Sequence, residues 1–292
     1  MLTVIILLLA LQAATATPRA SLTGTLHPRV AESSGVAVSR AHCGVLWTHN
    51  DSGDQPYVYA TDLAGTDRGT VRIRGVRAVD WEDIVLGPCP AGRGTCLYIA
   101  DTGDNDEKRK SVVIYSVPEP VPPGPGAEPT SSAPPATLHL KYPGGPDDVE
   151  AAYLSPRDSA LYLVSKGRRG PVRLYRVPRK AWGADTLVTA SLVQTLPITP
   201  LAAVGRLVTG AAIRPDGRLV AVRTYTEIYF FVPGAGGHLT PSHQPVCNVA
   251  GLEPQGEALA FLDDSTLVLT SEGTGSRRRR TGGPIHTLRC PD

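Results

Sequence analysis

The sequence predicts an all-β fold, a β-propeller of about five four-stranded blades, on the basis of three observations. One pattern recurs five times in the 292 residues: a polar or acidic residue, a short apolar stretch, a turn and a second β-rich stretch. Matching positions of successive repeats lie 50, 68, 59 and 48 residues apart, and a period near 50 with four strands per repeat is typical of propeller blades. Thirty Gly and 27 Pro residues, spread along the chain, supply turns between many short strands.

Each repeat is predicted to place its first strand next to the propeller axis. The repeats begin at Glu32, Asp80, Val149, Thr209 and Gln255. A fourth, outer strand fits between repeats, at 70–74, 137–142, 192–196 and 245–249. The fifth repeat lacks an outer strand of its own, and residues 21–26 are predicted to supply it, because pairing the two ends of the chain removes a free sheet edge. A ring of six blades, one of them degenerate, is the alternative.

The predicted domain organisation is a signal peptide at 1–16 followed by a single propeller domain at 21–292. The run from Leu2 to Leu11 is apolar and precedes a small-x-small cleavage site, Ala14-Thr15-Ala16, although no Lys or Arg precedes the run. This run is too short to span a bilayer, and no other segment is long enough. The sequence therefore predicts a protein secreted to the periplasm or the extracellular space, without a transmembrane segment.

The segment 118–136 is rich in proline and is predicted to be an extended, mobile loop insertion. A linker between two domains is the alternative. The same repeat continues on both sides of the segment, which favours the loop.

The five cysteines are potential disulfide partners, because secreted proteins fold in oxidising compartments. Cys89 and Cys96 flank a predicted turn and could lie within bridging range. Cys247 and Cys290 are a possible second pair, and Cys43 is then left buried or free. No Cys-x-x-Cys pair supports a structural zinc site.

Charge and motifs exclude several classes of function. The net charge of +2 argues against a nucleic-acid-binding protein driven by overall charge. Neither a Gly-x-Ser-x-Gly motif nor a glycine-rich phosphate loop occurs.

We expect the protein to be a monomer.

Acidic residues are predicted to meet at one mouth of the central channel. In a propeller, the inner strands start at the same face to which the loops between second and third strands return. Asp80, Asn105 and Glu272 are expected there with the candidate metal ligands, which are Glu32, Asn50, Asp51, Glu82, Asp101, Glu150 and Glu257. Carboxylates this close cannot all stay ionised and unpaired. Three solutions are open: a Ca²⁺ ion gathers the oxygens, Lys166 and Arg223 pair with them, or their pKa values rise.

Structural roles compete with this interpretation. Asn50-Asp51-Ser52-Gly53 and Asp101-Thr-Gly-Asp-Asn105 are also good turn sequences. The recurring glutamates could instead fix the registry of the blades by accepting backbone hydrogen bonds. Trp47 and Trp81 are expected to pack between blades.

Two functions from different classes remain. The first is a module that binds a small molecule, a glycan or an envelope protein without catalysis. The second is a metal-dependent hydrolase of esters, lactones, phosphoesters or glycosides, in which His49 or Glu82 acts as the base and Lys166 or Arg223 stabilises negative charge. Binding is preferred, because no complete catalytic constellation can be named.

Five motifs carry a resemblance to a known family. They are Glu32-Ser-Ser-Gly-Val-Ala37, Leu46-Trp-Thr-His-Asn-Asp-Ser-Gly-Asp54, Asp80-Trp-Glu-Asp-Ile84, Tyr98-Ile-Ala-Asp-Thr-Gly-Asp-Asn105 and Gln255-Gly-Glu-Ala258. The chain resembles a family of secreted bacterial β-propeller proteins and, more distantly, the phytase-like esterase, lactonase and regucalcin-type propellers, which bind a divalent ion at the channel mouth. The resemblance implies a divalent-ion site at the channel mouth. Thr209 stands where the other repeats carry an acid, so a symmetric ring of ligands is not expected.

Overall fold

The computed structural model describes residues 15–183, 186–199, 201–275 and 280–291. Most of the predicted signal peptide lies outside these residues. The described chain forms five mainly antiparallel sheets, and the first strand of each sheet contacts the first strands of the two neighbouring sheets in a closed ring. This is a five-bladed β-propeller with almost no helix, as predicted, and the six-bladed alternative is wrong.

The strand bounds follow the predicted repeats closely. Two strands, β1 (Thr15–Ala16) and β2 (Arg19–Thr25), precede the first blade. Blade 1 contains β3 (Ser33–Val38), β4 (Leu46–Asn50), β5 (Tyr57–Thr61) and β6 (Gly69–Arg72). Blade 2 contains β7 (Trp81–Pro88), β8 (Thr95–Asp101) and β9 (Val112–Pro118), then, after the short β10 (Thr130–Ser131), β11 (Ala136–Lys141). Blade 3 contains β12 (Val149–Leu154), β13 (Leu161–Ser165) and β14 (Arg173–Val177), then, after the short β15 (Val188–Thr189), β16 (Ser191–Thr195). Blade 4 contains β17 (Val208–Ile213), β18 (Val220–Thr224), β19 (Glu227–Pro233), β20 (Leu239–Pro241) and β21 (Val246–Asn248). Blade 5 contains β22 (Gln255–Phe261), β23 (Leu267–Glu272) and β24 (Pro284–Arg289). Short 3₁₀ turns lie at Arg179–Ala181, Ala202–Val204 and Ala235–Gly237.

The ring closes through the two ends of the chain. Strand β2 pairs antiparallel with β24 and completes blade 5, as the sequence predicted. The disulfide Cys247–Cys290 joins β21 of blade 4 to the chain just after β24, and Cys89–Cys96 links β8 to the segment after β7. Cys43 is exposed and forms no disulfide within the described residues.

Apolar side chains of adjacent blades interdigitate to form the core. Trp47 and Trp81 are buried in one cluster between blades 1 and 2, which confirms their expected packing role. Buried polar groups tie the blades to one another near the axis. The Thr102 hydroxyl donates to the Val149 carbonyl at 2.7 Å, and the Thr209 hydroxyl donates to the Gly256 carbonyl at 3.1 Å. The blades are thereby held in fixed registry.

The proline-rich segment runs along the outer edge of blade 1. Strand β10 pairs parallel with β6, and the Gly124 amide donates to the Arg68 carbonyl at 2.8 Å. Gly69 has φ +108°, and a Cβ atom there would lie 2.8 Å from the Pro123 ring. This segment therefore covers a sheet edge that would otherwise be open to pairing with another chain.

None of the described helices is long and apolar enough to cross a membrane.

Candidate functional site: the acidic mouth

A β-bulge at the start of each inner strand positions the polar side chains. The pairing of every inner strand with its second strand shifts register by one residue, and the residues in these shifts are Ser34, Glu82, Glu150, Thr209 and Glu257. A bulged residue is unpaired in the ladder, and bulges next to functional sites re-aim a side chain. Five equivalent positions therefore surround one end of the channel, and three of them carry glutamate.

Four of these five side chains line a cavity of about 210 Å³. We call this cavity the acidic mouth; its lining residues are Ser34, Asp51, Glu82, Asn105, Glu150, Lys166, Arg168, Tyr225, Gln255 and Glu257. Of the seven predicted metal ligands, four lie together here: Asp51, Glu82, Glu150 and Glu257. Of the four predicted catalytic residues, Glu82 and Lys166 line the cavity. The fifth bulged residue, Thr209, is buried and bonded to blade 5.

Glu82 is the centre of the carboxylate cluster. One oxygen each from Asp51, Asp80 and Glu82 lie within 4.8 Å of one another, and so do oxygens of Glu82, Asp148 and Glu150. Glu82 is only 3% exposed, and its one hydrogen bond within the described residues comes from the Ser34 hydroxyl at a long 3.4 Å. A buried carboxylate with so little compensation is unfavourable unless it is protonated or binds a cation.

Gly103 allows a loop to pass close to this cluster. A Cβ atom on Gly103 would lie 2.0 Å from Glu82 Oε1 and 2.6 Å from Asp80 Oδ2. The loop between β8 and β9 therefore lies directly against the two carboxylates and limits how far they can move apart.

The pKa values of the cluster rise because its members are buried together. Burial raises the pKa of Glu82 well above its usual value, and the charges of Glu150 and Asp51 raise it further. Burial, with the neighbouring charge of Asp51, raises the pKa of Asp80 to about 7. Burial also raises the pKa of Glu257 to about 7. A bound metal ion would act in the opposite direction, because it stabilises the ionised carboxylates and so favours proton release.

The Asp148–Glu150 side of the cluster is already neutralised by side chains of the protein. The Lys166 ammonium lies 2.6 Å from Glu150 Oε1, and the Arg168 guanidinium lies 3.4 Å from Asp148 Oδ2. Burial nevertheless outweighs the Lys166 charge and raises the pKa of Glu150 to about 8. By contrast, Asp51, Asp80 and Glu82 form no ion pair with any described Lys or Arg. This trio is the part of the carboxylate cluster that has no direct ion pair within the described residues.

Three of the predicted metal ligands have other partners outside the cavity. Glu32 pairs with Arg280 at 2.6 Å; it precedes the bulged Ser34 by two residues, so Ser34, not Glu32, is the equivalent of Glu82 in blade 1. Asn50 bridges the Glu32 amide and the Arg29 carbonyl, at 3.0 and 2.8 Å. Asp101 accepts two backbone hydrogen bonds and pairs with Arg109 at 2.8 Å. Asn50 and Asp101 end β4 and β8, so their contacts hold strand ends against the adjoining loops.

Two of the predicted catalytic residues are sealed in the protein interior. His49 is fully buried, its ring lies edge-on to Trp81 at 5.6 Å, and burial lowers its pKa to about 4. Arg223 is 1% exposed, pairs with the buried Glu253 and donates to the Ala258 carbonyl at 2.8 Å. Neither side chain lines the acidic mouth.

Sequence reasoning did not select five residues of this site as candidates: Ser34, Asp148, Arg168, Tyr225 and Gln255. A signal was present for one of them. Asp148 and Glu150 are separated by one residue, as are Asp80 and Glu82, so the same Asp-x-Glu pattern opens two successive blades. Tyr225 follows β18, and its ring lies 5.9 Å from the Lys166 ammonium, a contact for which the sequence offers no local pattern.

Comparisons with known proteins identify the fold. No protein-family model matches the chain, and a search of curated proteins finds no significant match. Among solved structures, the chain is similar to the PQQ-bound aldose sugar dehydrogenase of Streptomyces coelicolor, with 13% identity, a TM-score of 0.55, and coverage of 96% of this chain and 100% of that one. A glucose dehydrogenase (13% identity, TM-score 0.44, 94% and 100% covered) and the Kuenenia stuttgartiensis hydrazine synthase (14%, 0.43, 92% and 65%) are more distant. The first likeness supports the propeller fold alone, because a fold does not fix a function.

Proposed function

We propose that the protein binds one Ca²⁺ ion at Asp51, Asp80 and Glu82 and, with it, a small oxygen-rich molecule in the acidic mouth. The observation that carries the proposal is a trio of carboxylates with oxygens within 4.8 Å of one another and no ion pair to a described Lys or Arg. Ca²⁺ is a hard cation that prefers oxygen ligands and tolerates irregular geometry.

The dimensions of the mouth favour a small ligand. Ca²⁺ takes about 6–8 oxygen ligands, more than three monodentate carboxylates supply, so coordination positions remain for water or for a ligand. The cavity of about 210 Å³ is smaller than the roughly 300–1,000 Å³ of sites for drug-sized molecules. A small molecule, or one terminal sugar unit of a glycan, fits this volume better than a segment of an envelope protein.

The chemistry of the lining favours binding over hydrolysis. A hydrolase needs a base and a group that stabilises negative charge within reach of the substrate. Of the predicted catalytic residues, His49 and Arg223 are buried elsewhere, and Lys166 is occupied by Glu150 at 2.6 Å. Glu82 lines the mouth, but as a ligand of the ion it would not be free to act as a base.

The acidic mouth does not suit PQQ, the ligand of the Streptomyces dehydrogenase. PQQ is a tricarboxylic quinone, and Asp51, Glu82, Glu150 and Glu257 outnumber the two cationic side chains that line the mouth. Placing this anion among those carboxylates would be unfavourable.

Calcium titration by calorimetry tests the proposal. We expect one Ca²⁺ per chain in the wild type, with proton release near neutral pH, and at least about tenfold weaker binding in Glu82→Gln and Asp51→Asn. Asp106→Asn is the matched control, because the Asp106 side chain is exposed and pairs with Lys108 at 2.9 Å in solvent. No calcium binding in the wild type, or equal affinity in Glu82→Gln, would refute the proposal.

We also propose that the chain is secreted after cleavage behind Ala16. The two disulfides support this proposal, because such bonds persist in oxidising compartments. The amino-terminal sequence of protein recovered from the culture medium or periplasm tests it. A mature chain that begins at Met1, or retention of the protein in the cytosol, would contradict it.

A further inference from the structure

The other end of the central channel holds a second cavity, of opposite character. The inner strands run from the acidic mouth to this end, where their last residues line a space of about 190 Å³. All five blades contribute apolar side chains, including Val36, Ile84, Leu154, Ile213, Leu259 and Phe261. We call this space the apolar cavity.

The only charges on the apolar cavity within the described residues are positive. Arg40 and Arg214 line it, and no Asp or Glu does. Arg214 pairs with Asp216 at 2.8 Å. Arg40 is exposed and donates to the Phe261 and Leu262 carbonyls at 3.2 and 3.4 Å, but it forms no ion pair with any described carboxylate. These carbonyl groups fix the guanidinium beside the cavity without cancelling its charge.

We propose that the apolar cavity binds the hydrocarbon tail of an aliphatic carboxylate, whose acid group pairs with Arg40. Burial of a tail removes apolar surface from water, which is favourable by about 0.8 kcal/mol per CH₂ group. An apolar cavity of about 150 Å³ accommodates benzene, so this slightly larger space fits a tail of roughly six to eight carbons. The positive rim selects an anionic head group over a cationic one. This site does not depend on calcium or on the acidic mouth.

Calorimetric titration with octanoate and octylammonium tests the site, since the two probes share a tail and differ in charge. We expect saturable binding of octanoate, unchanged by a calcium chelator or by Glu82→Gln, and much weaker binding of octylammonium. Arg40→Gln is expected to weaken octanoate binding by about threefold to fivefold, the effect of one exposed ion pair. Arg218→Gln, in an exposed turn at the same end of the propeller, is the matched control and should change nothing.

A second variant tests the cavity itself. Ala212 lies on β17 and lines the apolar cavity, so Ala212→Met is expected to fill the space and abolish octanoate binding. Its melting temperature and circular dichroism show whether it is folded; if it is not, the smaller Ala212→Val replaces it. Three results would overturn the proposal. Octylammonium could bind as tightly as octanoate, or a folded, cavity-filled variant could still bind octanoate. The third is the absence of saturable octanoate binding below its solubility limit.

Discussion

Replacing Arg223 by methionine tests whether this residue stabilises the fold, as its buried position indicates. The side chain is 1% exposed, and its guanidinium bonds to Glu253, whose side chain is 2% exposed, and to the Ala258 carbonyl. Arg223→Met would leave the Glu253 carboxylate buried, with His286 Nδ1, 3.8 Å away, as its nearest basic group among the described residues. Breaking a buried ion pair in this way costs about 3–5 kcal/mol, a large part of the total stability of a typical domain, about 5–15 kcal/mol.

Equilibrium unfolding in urea, with the disulfides intact, measures this loss. With a slope of about 3 kcal/mol per molar urea, we expect the midpoint of Arg223→Met to fall by about 1 M or more. Arg223→Met combined with Glu253→Leu should be more stable than the single variant, because it leaves no unpaired charge. Arg218→Gln should stay within about 0.5 kcal/mol of the wild type. A wild-type midpoint for Arg223→Met, or a double variant less stable than the single one, would refute this role.

Three further predictions concern pH, the disulfides and the channel axis. Because the pKa values of Asp80, Glu150 and Glu257 are raised, the calcium-free folded protein binds more protons than the unfolded chain above pH 6.5. Its melting temperature should therefore fall between pH 6.5 and 8.5, and excess Ca²⁺ should reduce that fall. A melting temperature that rises with pH would contradict this prediction. Removing the Cys247–Cys290 disulfide in Cys247→Ser/Cys290→Ser should lower the free energy of unfolding in urea by about 4 kcal/mol, and removing Cys89–Cys96 in Cys89→Ser/Cys96→Ser by about 2.5 kcal/mol. The losses differ because the two disulfides close loops with sequence separations of 43 and 7 residues. Equal losses would contradict this account, which rests on the entropy of loop closure. The buried carboxylate of Asp83 accepts the Ile84 and Ala152 amides, both at 2.8 Å, so Asp83→Ala should cost about 1–3 kcal/mol for each amide left unsatisfied; an unchanged urea midpoint would show that water replaces the carboxylate.

Most of the fold could be predicted because the repeated sequence pattern shows the order of the strands along the chain. Each blade combines an inner strand of small and apolar residues with turn residues at similar offsets, and the closure of the ring follows from a missing outer strand in the fifth repeat. The predicted outer strand 70–74 is observed at Gly69–Arg72, one residue earlier at its start and two at its end. The proline-rich segment could be located but not its packing on β6, since that contact joins residues distant in sequence.

More than half of the residues that line the acidic mouth were predictable, and the bulges explain much of what was not. Glu82, Glu150 and Glu257 are bulged residues and turn into the mouth, whereas Glu32 was aligned with them two residues out of register. Side chains of a strand alternate between its two faces. A residue close in sequence to one that lines the mouth therefore need not point its side chain into the mouth. Arg223, on β18, turns inward to Glu253, and His49, on β4, packs against Trp81. The sequence alone could not distinguish these outcomes.

Thermal unfolding in the presence of Ca²⁺ and of a chelator tests the central claim, a cation site built on Glu82, most directly. A ligand at about 100 times its Kd stabilises the folded state by about 2.7 kcal/mol. We predict a clear calcium-dependent rise in the melting temperature of the wild type, a much smaller rise in Glu82→Gln, and an unchanged rise in Asp106→Asn. The same melting temperature in Ca²⁺ and chelator, or an equal rise in Glu82→Gln, would contradict the account.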